Sequence, residues 1–419
     1  MHNEVSENGV LSNFDPGSAV RVADLLKARL RMQLARSHII KRRPLRSRLE
    51  CLAQPLQKGT PFMTSNKKYI GMDVHKESIS IAVMNSTGKF VMECVIETKA
   101  SMLLQFIAGL RGDVRVTFEE GTWAAWLYDL LKPHVSEVVV CNPRKNALLK
   151  NGSKSDRIDA RKLAELLRGN QLKPVYHGEQ GLRTLKELAR SYLTISKDVT
   201  RVMNRLKALY RSWGIACAGT HVYAPRHRSE WLGRISEAGV RRRAEHCYQQ
   251  LDVLRLLRQQ IRRDLLLESK KHQAWRLLGL IPGIGPIRAA LLIALIQTPH
   301  RFRTKRHLWT YSGLGLETHD SAQYRVVEGQ LQRSKKPVTL RGLNQDHNHD
   351  LKDIFKGAAT RVSSSSHGPL HDFYEHLLAQ GRKPTMARLT LARKIAAITL
   401  IVWKKEVHFD ASYLTSQAA

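Results

Sequence analysis

The chain has 419 residues, room for two or three domains with a sizeable core. It carries 69 Lys+Arg against 36 Asp+Glu, for a formal charge of +33 and a pI near 10.3. That excess points to a polyanionic partner, nucleic acid first. No apolar run reaches the roughly 18 residues that span a bilayer, so no membrane partner is expected. The most apolar stretch, "LARKIAAITLIVW" (391–403), reads as a buried helix. Five scattered cysteines (Cys51, Cys94, Cys141, Cys217, Cys247) without a CxxC pair form neither a disulfide framework nor a zinc site, and fit a reducing cytoplasm.

Residues 1–62 stand apart. The run "KARLRMQLARSHIIKRRPLRSRLE" is basic and no secretory signal precedes it, so the segment is expected to be a flexible basic arm or an upstream extension. A cleaner globular pattern begins at Met63. "KYIGMDVH", "SISIAVMN" and "FVMECVIET" read as three consecutive strands with a turn at "STGK". "ASMLLQFIAGL" has helical spacing, "VRVTFEE" is a fourth strand, "TWAAWLYDLLK" a helix and "VSEVVVCNP" a fifth strand. A basic helix in "SKSDRIDARKLAELL" (153–167) follows. The order βββαβαβα describes a mixed sheet with helices on its faces, which is the element order of the ribonuclease H fold.

Asp156 and Asp159 share one face at the start of that helix, because positions i and i+3 do. Taken alone, they suit a solvated helix N-terminus, where the macrodipole favours acids. Asp73 lies in the first strand, however, and Glu119 ends the fourth. If those strands are neighbours, four carboxylates gather at one place and repel unless divalent cations neutralise them. Oxygen ligands suit Mg²⁺ or Mn²⁺, and two such ions about 4 Å apart are a device for in-line phosphodiester chemistry.

The stretches "YIGMDVHK", "FEEGTW", "CNPRKN" and "SKSDRIDARKLAELL" together resemble the RuvC-like domain of the DEDD transposases of bacterial insertion sequences, and the resemblance spans about residues 66–410. It implies that Asp73, Glu119, Asp156 and Asp159 are the acidic tetrad that holds Mg²⁺, with Mn²⁺ as a substitute. Relatives have a longer gap between the glutamate and the Gly-Thr-aromatic step, so Glu120 is the fallback ligand. Asp73 is residue eleven counted from Met63, a usual place for the family's first aspartate, which favours Met63 as the natural start.

The expected organisation has a RuvC-like domain over 63–175, a helical coiled-coil linker over 176–274, a mainly helical C-terminal domain over 275–410 and a tail over 411–419. In the linker, "LRTLKELARSYLTISKDVTRVMNRLKALYRSWG" and "EHCYQQLDVLRLLRQQIRRDLLLESKKHQAWRLL" carry apolar residues at three- and four-residue intervals. They can pack as an antiparallel pair or join another subunit. The resemblance tilts this toward assembly, as a homodimer that builds a tetramer.

"GLIPGIGPIRAALLIALI" (279–296) resembles a helix-hairpin-helix, in which Gly283 and Gly285 let the backbone approach a phosphate. Arg303, Lys305 and Arg306 in "RFRTKRH" add charge beside it. In "LWTYSGLGLETHDSAQYR" the family resemblance implies a nucleophilic serine a few residues after an aromatic-small-Gly-Leu step. Ser312 matches the small residue of that step and is expected to be buried packing. Ser321, eight residues past Gly313, has the matching spacing, although Ser-Ala stands where relatives show Ser-Gly. Ser334 in "RSKKPVTLRGL" is the second choice, and with Lys335 and Arg341 it better fits phosphate contact. "QDHNHD" (345–350) is expected not to bind metal, "SSSS" (363–366) to be a loop, and Trp123, Trp126 and Tyr128 to be core.

The resemblance implies a cytoplasmic, nucleoid-associated DNA recombinase that cuts and rejoins strands. Its partners would be element ends, target DNA and a structured guide RNA. Two other readings compete: a junction-resolving nuclease of the same fold that uses metal-activated water, and a non-catalytic nucleic-acid binder.

Overall fold

The computed structural model describes residues 66–143, 155–178, 180–319, 324–327, 329–333 and 339–415. The basic arm 1–62, and with it Cys51, lies outside them, as do Ser321, Ser334 and Lys335.

Strand β1 (Lys67–Val74) alternates its side chains between two faces. Ile70 and Met72 are fully buried on one face, while Tyr69, Gly71 and Asp73 take the other. The chain returns antiparallel as β2 (Ser78–Asn85) and β3 (Phe90–Glu97), with Asp73 opposite Ser80. Helix α1 (Ala100–Ala108) leads to β4 (Asp113–Glu119), which runs parallel to β1 with Phe118 opposite Met72. Helix α2 (Ala124–Leu131) leads to β5 (Glu137–Cys141), parallel to β4. The sheet order is therefore β3-β2-β1-β4-β5, a mixed sheet in which β1 and β4 are neighbours, as the element pattern led us to expect.

The two faces are covered by different helices. Leu103 and Ile107 of α1 and Leu127 and Leu131 of α2 pack on Ile70, Met72, Val116 and Phe118. Helix α3 (Asp156–Arg168) covers the opposite face, with Leu163, Leu166 and Leu167 against Cys141, Tyr69 and Val139. Each such side chain contributes about 1.5–3 kcal/mol by leaving water.

The two long amphipathic stretches form α4 (Arg183–Ser212) and, after the short α5 (Arg228–Gly233), α6 (Ala238–Ser269). They pair within the chain. Val202, Leu206 and Leu209 meet Ala244, Tyr248 and Leu251, and the Tyr210 and Tyr248 hydroxyls lie 3.1 Å apart. Tyr210 is near the end of α4 and Tyr248 near the start of α6, so the pair is antiparallel. Val253, Leu256, Leu257 and Leu267 of α6 face outward.

The C-terminal region has one apolar core built from α7 (Gln273–Gly279), α8 (Gly285–Ile296), α9 (Lys305–Tyr311), α10 (His349–Ser363), α11 (Pro369–Ala379) and α12 (Pro384–Lys405). Helix α12 carries the apolar stretch noted above, and Leu391, Ile395 and Ala396 of it are fully buried. Among the described residues no helix is long and apolar enough to cross a membrane. Two antiparallel ribbons interrupt these helices: β6 (Leu316–His319) pairs with β9 (Thr339–Leu343), and β7 (Tyr324–Val327) with β8 (Gln330–Arg333). The mainly helical expectation for this region omitted them.

Candidate metal centre and nucleic-acid interface

The site is built where β1, β4 and α3 meet. A Cβ on Gly71 would fall 2.1 Å from the Ala160 carbonyl oxygen and 2.5 Å from the Ala164 nitrogen, so α3 lies directly on the backbone of β1. Asp73 stands two residues further along the same face. Glu119 follows Phe118, the partner of Met72, and so closes β4 beside Asp73. Helix α3 begins at Asp156 because Ser155 caps it, its Oγ accepting from the Ile158 amide at 3.3 Å. The cap puts Asp156 and Asp159 into the first turn, where the helix dipole favours acids.

A clamp on the far side holds this helix. The Glu93 carboxylate on β3 accepts hydrogen bonds from Nε of both Arg157 and Arg161, and the Arg161 guanidinium lies 5.2 Å from the centre of the Phe90 ring. The bond from Arg161, followed by that from Arg157, holds the Glu93 carboxyl below the ordinary carboxylate range.

Asp73, His75 and Asp156 present ligand atoms that all lie within 4.8 Å of one another. His75 Nε2 is 3.2 Å from Asp73 Oδ2 and 3.5 Å from Asp156 Oδ1. Burial raises the Asp73 pKa above its usual value; the charges of Asp156 and Asp159 add to the shift, while His75 opposes it. Asp159 Oδ1 is buried and makes no hydrogen bond, and it forms a loose ion pair with the Lys162 ammonium at 3.9 Å. A crowded, partly desolvated set of carboxylates is a donor set that fits a hard divalent cation.

Of the four acids read from the sequence, the structure brings Asp73 and Asp156 into the tight group. Glu119 lies beside Asp73 by strand register and Asp159 one turn along α3; both are outside that group. Glu120 is engaged elsewhere, its Oε2 2.8 Å from His177 Nε2, and the His177 ring stacks on Tyr128 at 4.8 Å. His75, Glu93, Arg157 and Arg161 went unread in the sequence. His75 had a signal in its position two residues after Asp73; the Glu93 clamp depends on contacts made 64 and 68 residues apart.

In the C-terminal region, Gly283 (φ +86°) and Gly285 (φ +62°) shape the turn between α7 and α8. The two glycines have different surroundings. A Cβ on Gly283 would meet Val362 and the Ala358 carbonyl of α10, and its own carbonyl accepts from Arg288 at 2.8 Å, so Gly283 serves packing. Gly285 opens on a cavity of about 800 Å³, lined in part by Lys197, Arg201, Arg262 and Arg288. Asp350 also lines it and pairs with Lys197 at 2.6 Å. Burial first, then the Arg361 charge, lowers the pKa of Arg288.

Arg303 and Arg306 are exposed, and Lys305 Nζ lies 6.0 Å from the Trp309 ring centre. Arg341 falls within β9. Ser312 is fully buried and donates to the Leu308 carbonyl at 2.7 Å, as expected of packing.

The sheet order β3-β2-β1-β4-β5, with acids at its centre and at the adjoining helix start, places the first domain in the ribonuclease H-like α/β class. The family model for DEDD transposases of IS110 type, described as "Transposase", matches residues 70–213, and that of the "Transposase IS116/IS110/IS902 family" matches 276–343. The chain belongs to this family of insertion-sequence transposases. It is also similar to the transposase for insertion sequence element IS1533 of Leptospira borgpetersenii, 28% identical over 179 residues, or 40% of this chain. That match spans 51% of the relative's own length.

Proposed function

We propose that the protein is a transposase of a mobile DNA element that cuts and rejoins DNA strands through a metal-dependent acidic centre and a serine nucleophile. The juxtaposition of Asp73 with Asp156, with Glu119 on the neighbouring strand and Asp159 one turn along the same helix, carries this reading. Asp73, Glu119, Asp156 and Asp159 would hold Mg²⁺, or Mn²⁺ in its place. Glu119 is the ligand in preference to Glu120, because Glu119 closes β4 beside Asp73 by strand register. Bound there, such cations would supply stabilisation for the negative charge that develops at phosphorus and on the departing oxygen.

Ser321 is the proposed nucleophile, on its spacing from the Ser312-Gly313 step. Its Oγ forms a bond to phosphorus as the bridging P–O bond of the strand breaks. The hydroxyl proton passes to solvent, and the departing strand oxygen takes one up. Gly285, Arg303, Lys305, Arg306, Lys335, Arg341 and Ser334 would contact the phosphate backbone, with Gly283 holding the turn that presents them. The net charge of +33 suits a protein that holds both DNA and a structured guide RNA in the cytoplasm. The outward apolar residues of α6 favour assembly as a homodimer that builds a tetramer.

The test is a pair of variants on strand cleavage. Asp73→Ala or Asp156→Ala abolishes cleavage and leaves DNA binding equal or stronger, since a repulsive charge is lost. Full cleavage by either variant overturns the metal-centre reading. Cleavage that survives Ser321→Ala but not Asp73→Ala assigns the chain to the junction-resolving nucleases instead.

A further inference from the structure

The acidic tetrad contains no nitrogen, yet an imidazole nitrogen sits between two of its members. His75 Nε2 is 3.2 Å from Asp73 Oδ2 and 3.5 Å from Asp156 Oδ1. Two ligands at adjacent corners of an octahedron are separated by √2 times the metal–ligand length, about 3 Å for bonds of about 2.1 Å. The two separations are close to that edge. The group's overall spread, within 4.8 Å, is also that of donors around one ion.

His75 is held in this place by its backbone. Its amide donates to the Ser78 carbonyl at 2.9 Å, and the Thr98 hydroxyl donates to its carbonyl at 3.0 Å. The turn from β1 to β2 is thereby fixed from both sides, and only the ring torsions remain free. A side chain from an anchored turn that reaches the gap between two carboxylates of different elements is placed as a ligand would be.

We propose that His75 is a nitrogen ligand of the divalent cation held by Asp73 and Asp156, which makes this centre of mixed nitrogen–oxygen type. The proposal rests on the metal-centre reading above. Its chemical consequence is selectivity. Mg²⁺ holds to oxygen donors and gives up its waters reluctantly. Mn²⁺, although also at home among carboxylates, is a first-row transition ion that accepts an imidazole nitrogen more readily than Mg²⁺ does, so His75 strengthens Mn²⁺ binding more than Mg²⁺ binding.

The experiment uses the full chain loaded with Mn²⁺, with metal affinity measured by calorimetry and ligand identity by electron spin-echo envelope modulation. Wild type is expected to show ¹⁴N modulation from a directly bound imidazole. His75→Ala and His75→Gln are expected to bind Mn²⁺ roughly 10-fold or more weakly, the least that loss of even an outer partner costs, and without that modulation. Mg²⁺ affinity should fall by a smaller factor. Circular dichroism melts check that both variants remain folded, and the glutamine variant keeps the bulk of the side chain.

Mn²⁺ binding without nitrogen modulation in wild type, or modulation that persists in both variants, overturns the role of His75 and leaves the tetrad standing. Wild type that binds no more Mn²⁺ than Asp73→Ala overturns the metal centre itself, and the inference with it.

Discussion

Gly71 and Ala160 touch backbone to backbone: a single Cβ on the glycine would sit 2.1 Å from the alanine's carbonyl oxygen. This contact sets how deeply α3 settles on β1, and so the gap between Asp73 and the acids of the helix start. Gly71→Ala cannot be absorbed by a flexible side chain, because the atoms it meets are backbone. It is expected to destabilise the protein by about 1–3 kcal/mol, the usual cost of overpacking, read as a lower melting temperature. Mn²⁺ affinity should fall in the same variant, as α3 is pushed outward. An unchanged melt with unchanged metal binding would show that this contact does not set the site.

The Glu93 clamp makes a second prediction. Glu93 is no ligand, yet it fixes Arg157 and Arg161 on the helix that carries Asp156 and Asp159. Glu93→Gln is expected to weaken Mn²⁺ binding by less than the roughly 10–100-fold lost with a partner bonded directly to a ligand, because Glu93 acts through the position of the helix and touches no ligand. The clamp also has a pH signature. Its carboxyl is held below the ordinary value of 4.5, so the ionised form is favoured in the fold. The stabilisation is therefore fully present above pH 4.5 and is lost as pH falls through the lowered folded value. In metal-free urea melts, wild type should exceed Glu93→Gln in stability at pH 7, and the difference should shrink toward zero in acid.

Legibility in the sequence followed the physics of each feature. The sheet was readable because β1, β2 and β4 bury alternating or continuous apolar runs, and its acids because strand ends and a capped helix start are local signals. The helix pair α4–α6 was readable from spacing, since Tyr210 and Tyr248 sit on the apolar stripes. Glu93 was not, because an acid on an edge strand looks like solvated surface until α3 folds over it. The ribbon β7–β8 has little apolar alternation, with Gln330, Leu331, Gln332 and Arg333 all exposed, so its pairing is set by chain geometry that no periodicity reports. Gly283 resembled a phosphate-binding glycine in sequence, and its packing against α10 depends on residues about 75 positions away.

The outward residues of α6 give a prediction about assembly. Val253, Leu256 and Leu267 are each more than half exposed along one helix. If subunits join there, Leu256→Glu with Leu267→Glu should lower the oligomeric order seen by light scattering and leave the melt nearly unchanged, as substitutions at exposed positions usually do. Should sites be shared between subunits, a mixture of Ser321→Ala and Asp73→Ala proteins regains part of the lost recombination. Unaltered mass in the double variant places the subunit contact elsewhere.

The last prediction separates three serines by chemistry. A serine hydroxyl is a weak nucleophile and must be reachable by phosphorus as well as activated. Ser312 meets neither condition: it is fully buried and its hydroxyl is spent on the Leu308 carbonyl. Ser312→Ala should cost about 1 kcal/mol of stability, the typical worth of one such bond, and leave the DNA-adduct yield intact. Ser321, the proposed nucleophile, lies eight residues past Gly313, and Ser334 is followed by the lysine pair Lys335 and Lys336. Trapping with a nicked suicide substrate, followed by digestion and mass spectrometry, should recover DNA joined to a peptide containing Ser321. Ser321→Ala should bind DNA and form no adduct, while Ser321→Cys keeps a trace because a thiol can still attack. An adduct on the Ser334 peptide moves the nucleophile by thirteen residues and preserves the covalent mechanism. Hydrolysed strands with no protein adduct under any metal condition would remove the serine from the reaction and leave a nuclease.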